Sequence, residues 1–312
     1  PLQVIGDLRP NRSFQRDAVR LQKILPAVAM TTPVPGVRIY DLGTNISGWS
    51  RLTVSGKAGA TVTLRHAERL NADGTLDRSS NLNGIPAQAI NRYTLKGGGT
   101  EVWEPWLAWH GFRYVEVTGD VALTPQSIEG RWIHSDIIRR STTFSCSDQL
   151  LNELFTAFRV SELDNSMYFH IDCNQRGERA PWAADAYACS APSMAMFDSA
   201  DFWQRWISTS NQQIGPRGEA NYEVRVGGGG FALFWQAYCL FIPWDFHQSY
   251  GDHAALRMSY ERARLFSDCF INWFDTLDAD VVFNKKEEKV LSSSNKNDFL
   301  IETEIAWKTP EG

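Results

Sequence analysis

Apolar and polar residues alternate along the first half of the chain, in short segments bounded by Gly, Asn or Asp. This period of two, together with many β-branched and aromatic residues, predicts β-strands. The predicted strands are VRIYDLG, SRLTVSG, TVTLRHAE, NRYTLKG and FRYVEVTG, separated by turn signals such as Gly43-Thr44-Asn45. Short strands repeated at this spacing predict an antiparallel β-sandwich over residues 36–135. Residues 1–35 are interpreted as a linker or the remnant of an upstream domain.

The period of the pattern changes after Ser141. In SDQLLNELFTAFRVSELDNS the apolar residues recur at helical spacing, with Ser147 as the predicted N-cap. Further helical patterns run through Ala183–Met196, Asp201–Gln213, Phe231–Tyr250 and His253–Leu277. Because few strand signals intervene, residues 136–312 are predicted to form paired helices rather than a βαβ sheet.

Composition and charge argue against several classes of protein. Of the 312 residues, 43% are apolar and 21% are charged, which is typical of a soluble globular protein large enough for two domains. No segment reaches the roughly 20 apolar residues that a membrane-spanning helix needs, so no membrane partner is expected. A net charge of −5 without a basic block argues against a nucleic acid partner. No signal-peptide pattern is visible, which leaves the compartment unknown.

Cysteines and glycines give no sign of a metal or a cofactor. The five cysteines form no CxxC pair, so free, buried thiols are expected rather than disulfides or a zinc site. The run Gly227–Gly230 lacks the lysine and helix context of a phosphate-binding loop, and no nucleotide-binding fingerprint is present. No cofactor and no metal are therefore predicted.

Candidate chemistry is concentrated in the segment DCNQRGERAPWAAD, residues 172–185. Three carboxylates, two arginines and a tryptophan fall within this stretch. Gly177 and Pro181 argue against a continuous helix, so most of the segment is predicted to be a loop. Loops on a rigid scaffold are common sites of catalysis.

These residue types suit the hydrolysis of a glycosidic bond. The reaction needs one protonated carboxylic acid for the leaving oxygen and a second carboxylate as base or nucleophile. Neighbouring carboxylates and burial near Trp182 favour a protonated acid, while Arg176 and Arg179 could orient the carboxylates or bind sugar hydroxyls. The same residues could instead form an ion-pair network that ties helix ends together. Composition alone favours this structural alternative.

The segment also resembles the signature DCPQRDERLGWTGD of the α-L-rhamnosidases of glycoside hydrolase family 78. In that family the glutamate of the ER pair is the general acid, which corresponds to Glu178. The resemblance implies contacts with rhamnose for Asp172, Trp182 and Asp185. Arg176 is assigned to substrate binding with them.

The resemblance covers most of residues 37–275. YDLGTNISGWSRLTVSGKAGATVTLRHAE and EVWEPWLAWHGFRYVEVTG are similar to the β-sandwich domain that precedes the catalytic domain in the family. IPWDFHQSYGDHAALRMSYERARLF is similar to one of its helix pairs. The implied fold is an antiparallel β-sandwich followed by a partial six-hairpin (α/α) toroid, with residues 136–312 as the N-terminal part of a truncated catalytic domain. Gly177 departs from the family pattern, which has an acid before the glutamate.

Two tryptophans outside the segment have counterparts in the family. Trp235 falls where the family often has a WG segment that lines the sugar pocket, although the preceding glycines could also form a merely flexible turn. Trp307 in IAWKTPEG resembles a GDW-x-TP element, with Ile305-Ala306 in place of Gly-Asp and Glu304 as the nearest acid. Both tryptophans are predicted to contact the substrate.

The resemblance implies an inverting α-L-rhamnosidase that removes terminal α-L-rhamnose. Inversion needs a general base that activates water on the opposite face of the sugar. The family base is a glutamate much later in the catalytic domain, so it is expected outside this chain. The expected partners are a rhamnose-containing glycoside or polysaccharide and the remainder of the catalytic domain.

Other assignments remain open at this point. The alternatives are a non-catalytic carbohydrate-binding or inactive homologue, and lytic cleavage next to a uronic acid. His110 and His170 could act in catalysis, but structural hydrogen bonds are the predicted role of both.

Overall fold

A computed structural model of the chain describes residues 18–82, 88–138, 141–215, 218, 220, 233–276, 281–283 and 289–291. The chain divides into two compact units. The first comprises Pro1–Pro181 with Pro192–Phe202, and the second comprises Trp182–Ala191 with Trp203–Gly312. Over the described residues, none of the helices is both long and apolar enough to cross a membrane.

Strands dominate the described part of the first unit, and helices dominate that of the second. The strands are β1 (Val19–Pro26), β2 (Ala29–Thr31), β3 (Val37–Ser55), β4 (Thr61–Ala67), β5 (Arg69–Leu70), β6 (Leu76–Asp77), β7 (Ile90–Thr94), β8 (Thr100–Trp103), β9 (His110–Thr118), β10 (Ile128–Ser135), β11 (Ser166–Met167), β12 (Phe169–His170), β13 (Val281–Phe283) and β14 (Lys289–Leu291). The helices are α1 (Ser79–Leu82), α2 (Gln149–Asn165), α3 (Ala183–Met196), α4 (Ala200–Asn211), α5 (Leu233–Gln236), α6 (Tyr238–Tyr250) and α7 (His253–Thr276).

Eight strands of the first unit pair in the order β1-β10-β3-β9-β4-β7, with β2 and β8 also paired to β3. All of these pairs are antiparallel. The N-terminal part of β3 pairs with β2 and β9, and its C-terminal part pairs with β10 and β8. The long strand β3 therefore connects the two layers of the sandwich.

An apolar core lies between these strands. Its buried members are Leu25, Tyr40, Leu42, Ile46, Leu52, Val54, Val62, Leu64, Leu95, Phe112, Val115, Val117 and Ile128. Within β4 and β9 the buried residues are spaced two apart, at 62 and 64 and at 115 and 117. The alternation in the sequence therefore does place one face of each strand in the core.

The predicted turn at Gly43-Thr44-Asn45 is wrong, because VRIYDLG and SRLTVSG belong to the single strand β3. The register with β9 shifts between Asp41 and Ile46 and then continues. Gly43 has a φ of 80°, and its N–H donates to Asp41 Oδ1 at 2.7 Å. A glycine in the left-handed region forms a bulge here, which bends the strand without reversing it.

Four strands of the sheet lie outside the predicted set: β1, β2, β8 and β10. β10 pairs with β3 in the interior of the sheet, and β1 pairs with β10 from Val19↔Ser135 to Pro26↔Glu129. β1 is mostly exposed, so its sequence VRLQKILP lacks a clear alternation. The sheet thus begins upstream of residue 36, in a segment interpreted from sequence as a linker or remnant. The domain boundaries as a whole stay a prediction.

The N-cap of helix α2 lies one residue later than predicted. Asp148, not Ser147, is the N-cap, and its side chain accepts the Leu150 N–H at 2.9 Å. Asp148 has the extended backbone that an N-cap requires and directly precedes the first helical residue. The helix ends at Asn165, and the N–H of the next residue, Ser166, donates to Leu163 O.

In the second unit, α6 and α7 pack against each other. Trp203 and Trp206 of α4 are fully buried, and the Trp206 ring meets the Tyr238 ring edge-on at 5.2 Å. Asn211 Nδ2 donates to Ser259 Oγ at 2.9 Å, which joins α4 to α7. The helical pattern predicted over Phe231–Tyr250 corresponds to two helices, α5 and α6, among the described residues.

Candidate active site

The acidic loop, residues 172–181, follows strand β12 and contains no helix or strand, as predicted. Two hydrogen bonds close its base. Asp172 N–H donates to Ala180 O at 3.0 Å, and Ala180 N–H donates to Asp172 Oδ1 at 3.0 Å. Because the two ends of the loop are joined, the side chains between Asp172 and Ala180 lie close to one another.

The side chains of two acids and one arginine of the acidic loop contact one another. Arg176 Nη2 lies 2.9 Å from Glu178 Oε1 and 3.5 Å from Asp172 Oδ2. The side chain of Asp172 is 5% exposed and that of Glu178 is 13% exposed. The loop therefore contains an internal ion-pair network, while the Glu178 carboxyl retains some access to solvent.

The thiol of Cys173 connects these three groups. Its Sγ donates to Asp172 Oδ2 at 2.9 Å, lies 3.9 Å from Glu178 Oε1 and accepts from Arg176 Nε at 3.4 Å. Burial is the main reason that the pKa of Cys173 rises to about 11, with the Asp172 hydrogen bond acting in the same direction and Arg176 against it. The thiol is therefore neutral at physiological pH. Its hydrogen bond is the largest of the causes that raise the pKa of Arg176.

The same atoms could in principle hold a metal ion. The ligand atoms of Asp172, Cys173 and Glu178 lie within 4.8 Å of one another. Arg176, however, already contacts all three and supplies the positive charge that a cation would bring. A thiolate ligand would also require loss of a proton from a thiol whose pKa is raised. The arrangement fits an acid pair bridged by one arginine better than a metal centre.

Contacts with the β-sandwich hold the acidic loop in place. The buried Asn174 side chain donates from Nδ2 to Ser47 Oγ at 2.9 Å. Asn81, also buried, donates from Nδ2 to the carbonyl oxygen of Gln175 at 3.1 Å. No role was predicted for these residues, because their partners lie far away along the chain. Gly111 of the WHGF segment leaves the space that Asn174 occupies, because a Cβ at this position would overlap Asn174.

The other predicted site residues lie in the second unit or outside the described residues. Trp182 and Trp235 meet edge-on, with ring centroids 5.4 Å apart. The structure thus brings together two residues predicted separately as sugar contacts. Asp185 lies in the first turn of α3. Trp307 falls outside the described residues, as do Gly227–Gly230 and Glu304.

The two histidines make structural hydrogen bonds, as expected. His110 Nε2 lies 3.0 Å from Asn91 Oδ1, and burial is the main cause that lowers the pKa of His110 to about 2. His170 Nε2 lies 3.2 Å from Glu162 Oε2, and both side chains are buried. His110 is therefore neutral in the folded protein, within the sandwich.

Comparison with known proteins identifies the class of protein to which the chain belongs. The bacterial α-L-rhamnosidase concanavalin-like domain matches residues 31–134, and the bacterial α-L-rhamnosidase 6 hairpin glycosidase domain matches residues 139–299. The second match alone covers more than half of the chain. The chain therefore belongs to the bacterial α-L-rhamnosidases, glycoside hydrolase family 78. The predicted fold, an antiparallel β-sandwich followed by part of a six-hairpin toroid, is confirmed.

Individual relatives agree with this assignment. An α-L-rhamnosidase of Streptomyces avermitilis is 38% identical over 241 residues, which cover 76% of this chain and 23% of that protein. The crystal structure of the Streptomyces avermitilis α-L-rhamnosidase complexed with L-rhamnose has a TM-score of 0.76 and 34% identity, over 85% of this chain and 25% of that one. The structure of the α-L-rhamnosidase from Dictyoglumus thermophilum has a TM-score of 0.76 and 30% identity. The match covers 82% of this chain and 29% of that one. The chain spans about a quarter of the length of these relatives.

Proposed function

We propose that the protein containing this chain is an inverting α-L-rhamnosidase in which Glu178 donates a proton to the glycosidic oxygen. One observation carries the proposal: in a member of this family, the acidic loop holds a partly exposed Glu178 beside Asp172 and Arg176. The substrate is a glycoside or polysaccharide that ends in α-L-rhamnose.

The ion pair between Arg176 and Glu178 has to be lost for Glu178 to act as a proton donor. A carboxylic acid must carry its proton when it acts as a donor. It forms an ion pair with arginine only after it has lost that proton. Hydroxyl oxygens of the bound sugar can accept hydrogen bonds from the Arg176 guanidinium, whose Nη2 lies 3.5 Å from Asp172 Oδ2 in the structure. Glu178 then holds its proton until the bond between the sugar and the leaving oxygen breaks, and the proton passes to that oxygen.

Asp172 is too close to Glu178 to serve as the base of an inverting pair. The two carboxylate oxygens lie within 4.8 Å, whereas inverting enzymes separate their carboxyl groups by about 6.5–9.5 Å to admit a water molecule. We therefore assign Asp172 to substrate binding, together with Arg176, Trp182, Asp185, Trp235 and Trp307. The base comes from the remainder of the catalytic domain.

The test compares Glu178→Gln with wild-type full-length protein on two substrates, an alkyl rhamnoside and 4-nitrophenyl rhamnoside. Loss of a general acid lowers turnover by roughly 100-fold or more. The loss is larger for the alkyl rhamnoside, because 4-nitrophenolate leaves without much protonation. Glu153→Gln on the exposed surface of α2 is the matched control. Equal losses on both substrates, or no loss, would contradict the role of Glu178.

Gly177 motivates a second candidate function, a homologue that binds rhamnose without cleaving it. The glycine replaces an acid that usually neighbours the proton donor. Calorimetric binding of L-rhamnose by full-length protein that releases none from any rhamnoside would favour this candidate. Measurable release of rhamnose excludes it.

A further inference from the structure

Arg179 joins the turn that carries Glu178 to the β-sandwich. Its Nη1 donates to the carbonyl oxygen of Trp109 at 2.6 Å, and its Cζ lies 4.5 Å from the centroid of the Trp109 ring. Its Nε donates to the carbonyl oxygen of Arg176 at 2.9 Å. One planar guanidinium thus fixes the backbone on both sides of Glu178, because Arg176 precedes this residue and Arg179 follows it.

The backbone at Arg179 needs such a restraint. Its φ is 44°, in the left-handed region that residues with a side chain rarely adopt. Strained residues of this kind persist only where surrounding contacts hold them, and they cluster at active sites. The side chain of Arg179 supplies those contacts itself, and burial lowers its pKa from the ordinary arginine value.

A second contact holds the other arm of the acidic loop. Asn174 binds Ser47 of β3, and Gly111 of β9 leaves room for its side chain. Trp109 lies immediately before β9, so both arms rest on neighbouring strands of one sheet. Trp109 falls in the match to the concanavalin-like domain and Arg179 in the match to the hairpin domain. The contact therefore crosses the boundary between two family domains within one compact unit.

We propose that Arg179 is a positioning residue that uses Trp109 of the β-sandwich to hold the Glu178 carboxyl in place for proton transfer. This inference rests on the proposed general-acid role of Glu178. It makes the sandwich part of the catalytic apparatus rather than an independent module. Arg179 acts through the backbone of the turn, so its loss should affect turnover more than substrate binding.

The experiment uses full-length protein with Arg179→Ala, Trp109→Ala and Trp109→Phe, and measures kcat and KM separately on an alkyl rhamnoside. Misplacement of a catalytic group by about 1 Å costs roughly 100-fold, so Arg179→Ala should lose that much kcat while KM stays within about threefold. Trp109→Ala keeps the carbonyl acceptor and should lose about tenfold, whereas Trp109→Phe keeps an aromatic face and should stay near wild type. Arg264→Ala, which removes an exposed arginine of α7, is the matched control.

Hydrogen exchange of the peptide covering residues 172–180 gives a readout that needs no turnover. Arg179→Ala should exchange faster there, with the rest of the sandwich unchanged. If Arg179→Ala does not fold, Arg179→Lys replaces it, because lysine keeps the charge but cannot bridge two carbonyls and stack at once. Wild-type kcat or wild-type exchange in the folded arginine variant overturns the inference. If wild type itself releases no rhamnose, the proposed function fails, and with it the positioning of a proton donor by Arg179, while hydrogen exchange still tests whether Arg179 holds the loop.

Discussion

The buried carboxyl of Asp164 predicts an unusual dependence of stability on pH. Asp164 Oδ1 accepts the Ser47 N–H at 2.8 Å and the Trp132 Nε1–H at 2.7 Å. Burial outweighs these hydrogen bonds and raises the pKa of Asp164 from 3.8 to about 7. The folded state then keeps a proton that the unfolded state has released between about pH 4 and pH 7. The unfolding free energy therefore falls as pH rises through this range.

The magnitude follows from the shift in pKa. A difference between about 7 and 3.8 corresponds to about 4 kcal/mol over the full range, of which about 3 kcal/mol is lost between pH 5 and pH 8. Asp164→Asn removes the titration but keeps an oxygen that can accept both N–H groups, and its amide resembles the protonated acid. Wild type should therefore lose stability relative to Asp164→Asn as pH rises.

The assay is urea unfolding of wild type and Asp164→Asn at several pH values from 5 to 8, followed by circular dichroism. The buried histidines change the unfolding free energy in the opposite direction, so that it rises with pH. The reason is that the pKa values of His66 and His110 are lowered, to about 4 and about 2. Their contribution is present above the unfolded pKa near 6.5 and is lost as pH falls. Both proteins share it, so it cancels in the difference. A difference that does not change with pH, or that grows in favour of wild type as pH rises, refutes the reasoning.

Two further predictions concern the acidic loop. Gly111→Ala should lower the unfolding free energy by about 1–3 kcal/mol in urea titrations, because the new methyl overlaps Asn174; unchanged stability would show that the loop adjusts freely. Cys173 should react with iodoacetamide at pH 7.5 at least roughly tenfold more slowly than Cys146, since the pKa of Cys173 is raised to about 11 and it is the more buried. Peptide mass spectrometry measures both rates, and equal rates would contradict the neutral, buried thiol.

The elements that were predicted correctly are those whose pattern is set locally. The apolar stripe of α7 predicted its start at His253 and placed its end within one residue of Thr276. Strand β1 was missed because an exposed strand needs no alternation, and its assignment depends on pairing with β10 far along the chain. The bulge at Gly43 was read as a turn because the same residue types serve both, and only the continued pairing with β9 distinguishes them.

The acidic loop shows the same division within a single site. The residue types in 172–185 made the segment a candidate for glycosidic hydrolysis, and the resemblance to family 78 assigned its roles, which stay predictions. The geometry depends on Ser47, Trp109 and Asp164, whose contacts join residues 70 to 127 positions apart. A single sequence does not show that a serine or a tryptophan so far along the chain contacts the acidic loop, since both residue types are common in β-sandwiches. The support that strands β3 and β9 give to the loop of the proposed proton donor therefore becomes visible only in the structure, where Gly111 leaves the space that Asn174 fills.

If Arg179 positions Glu178 as proposed, the acidic loop motif alone is not enough to predict activity. The ion pair and the thiol that surround Glu178 are formed within the loop, but the left-handed backbone at Arg179 is held by Trp109. A relative that keeps the loop residues but replaces Gly111 with a larger residue would displace Asn174 from Ser47. Its acid would then be present and misplaced. We therefore expect a small residue at position 111 wherever the loop is held on Ser47 in this way.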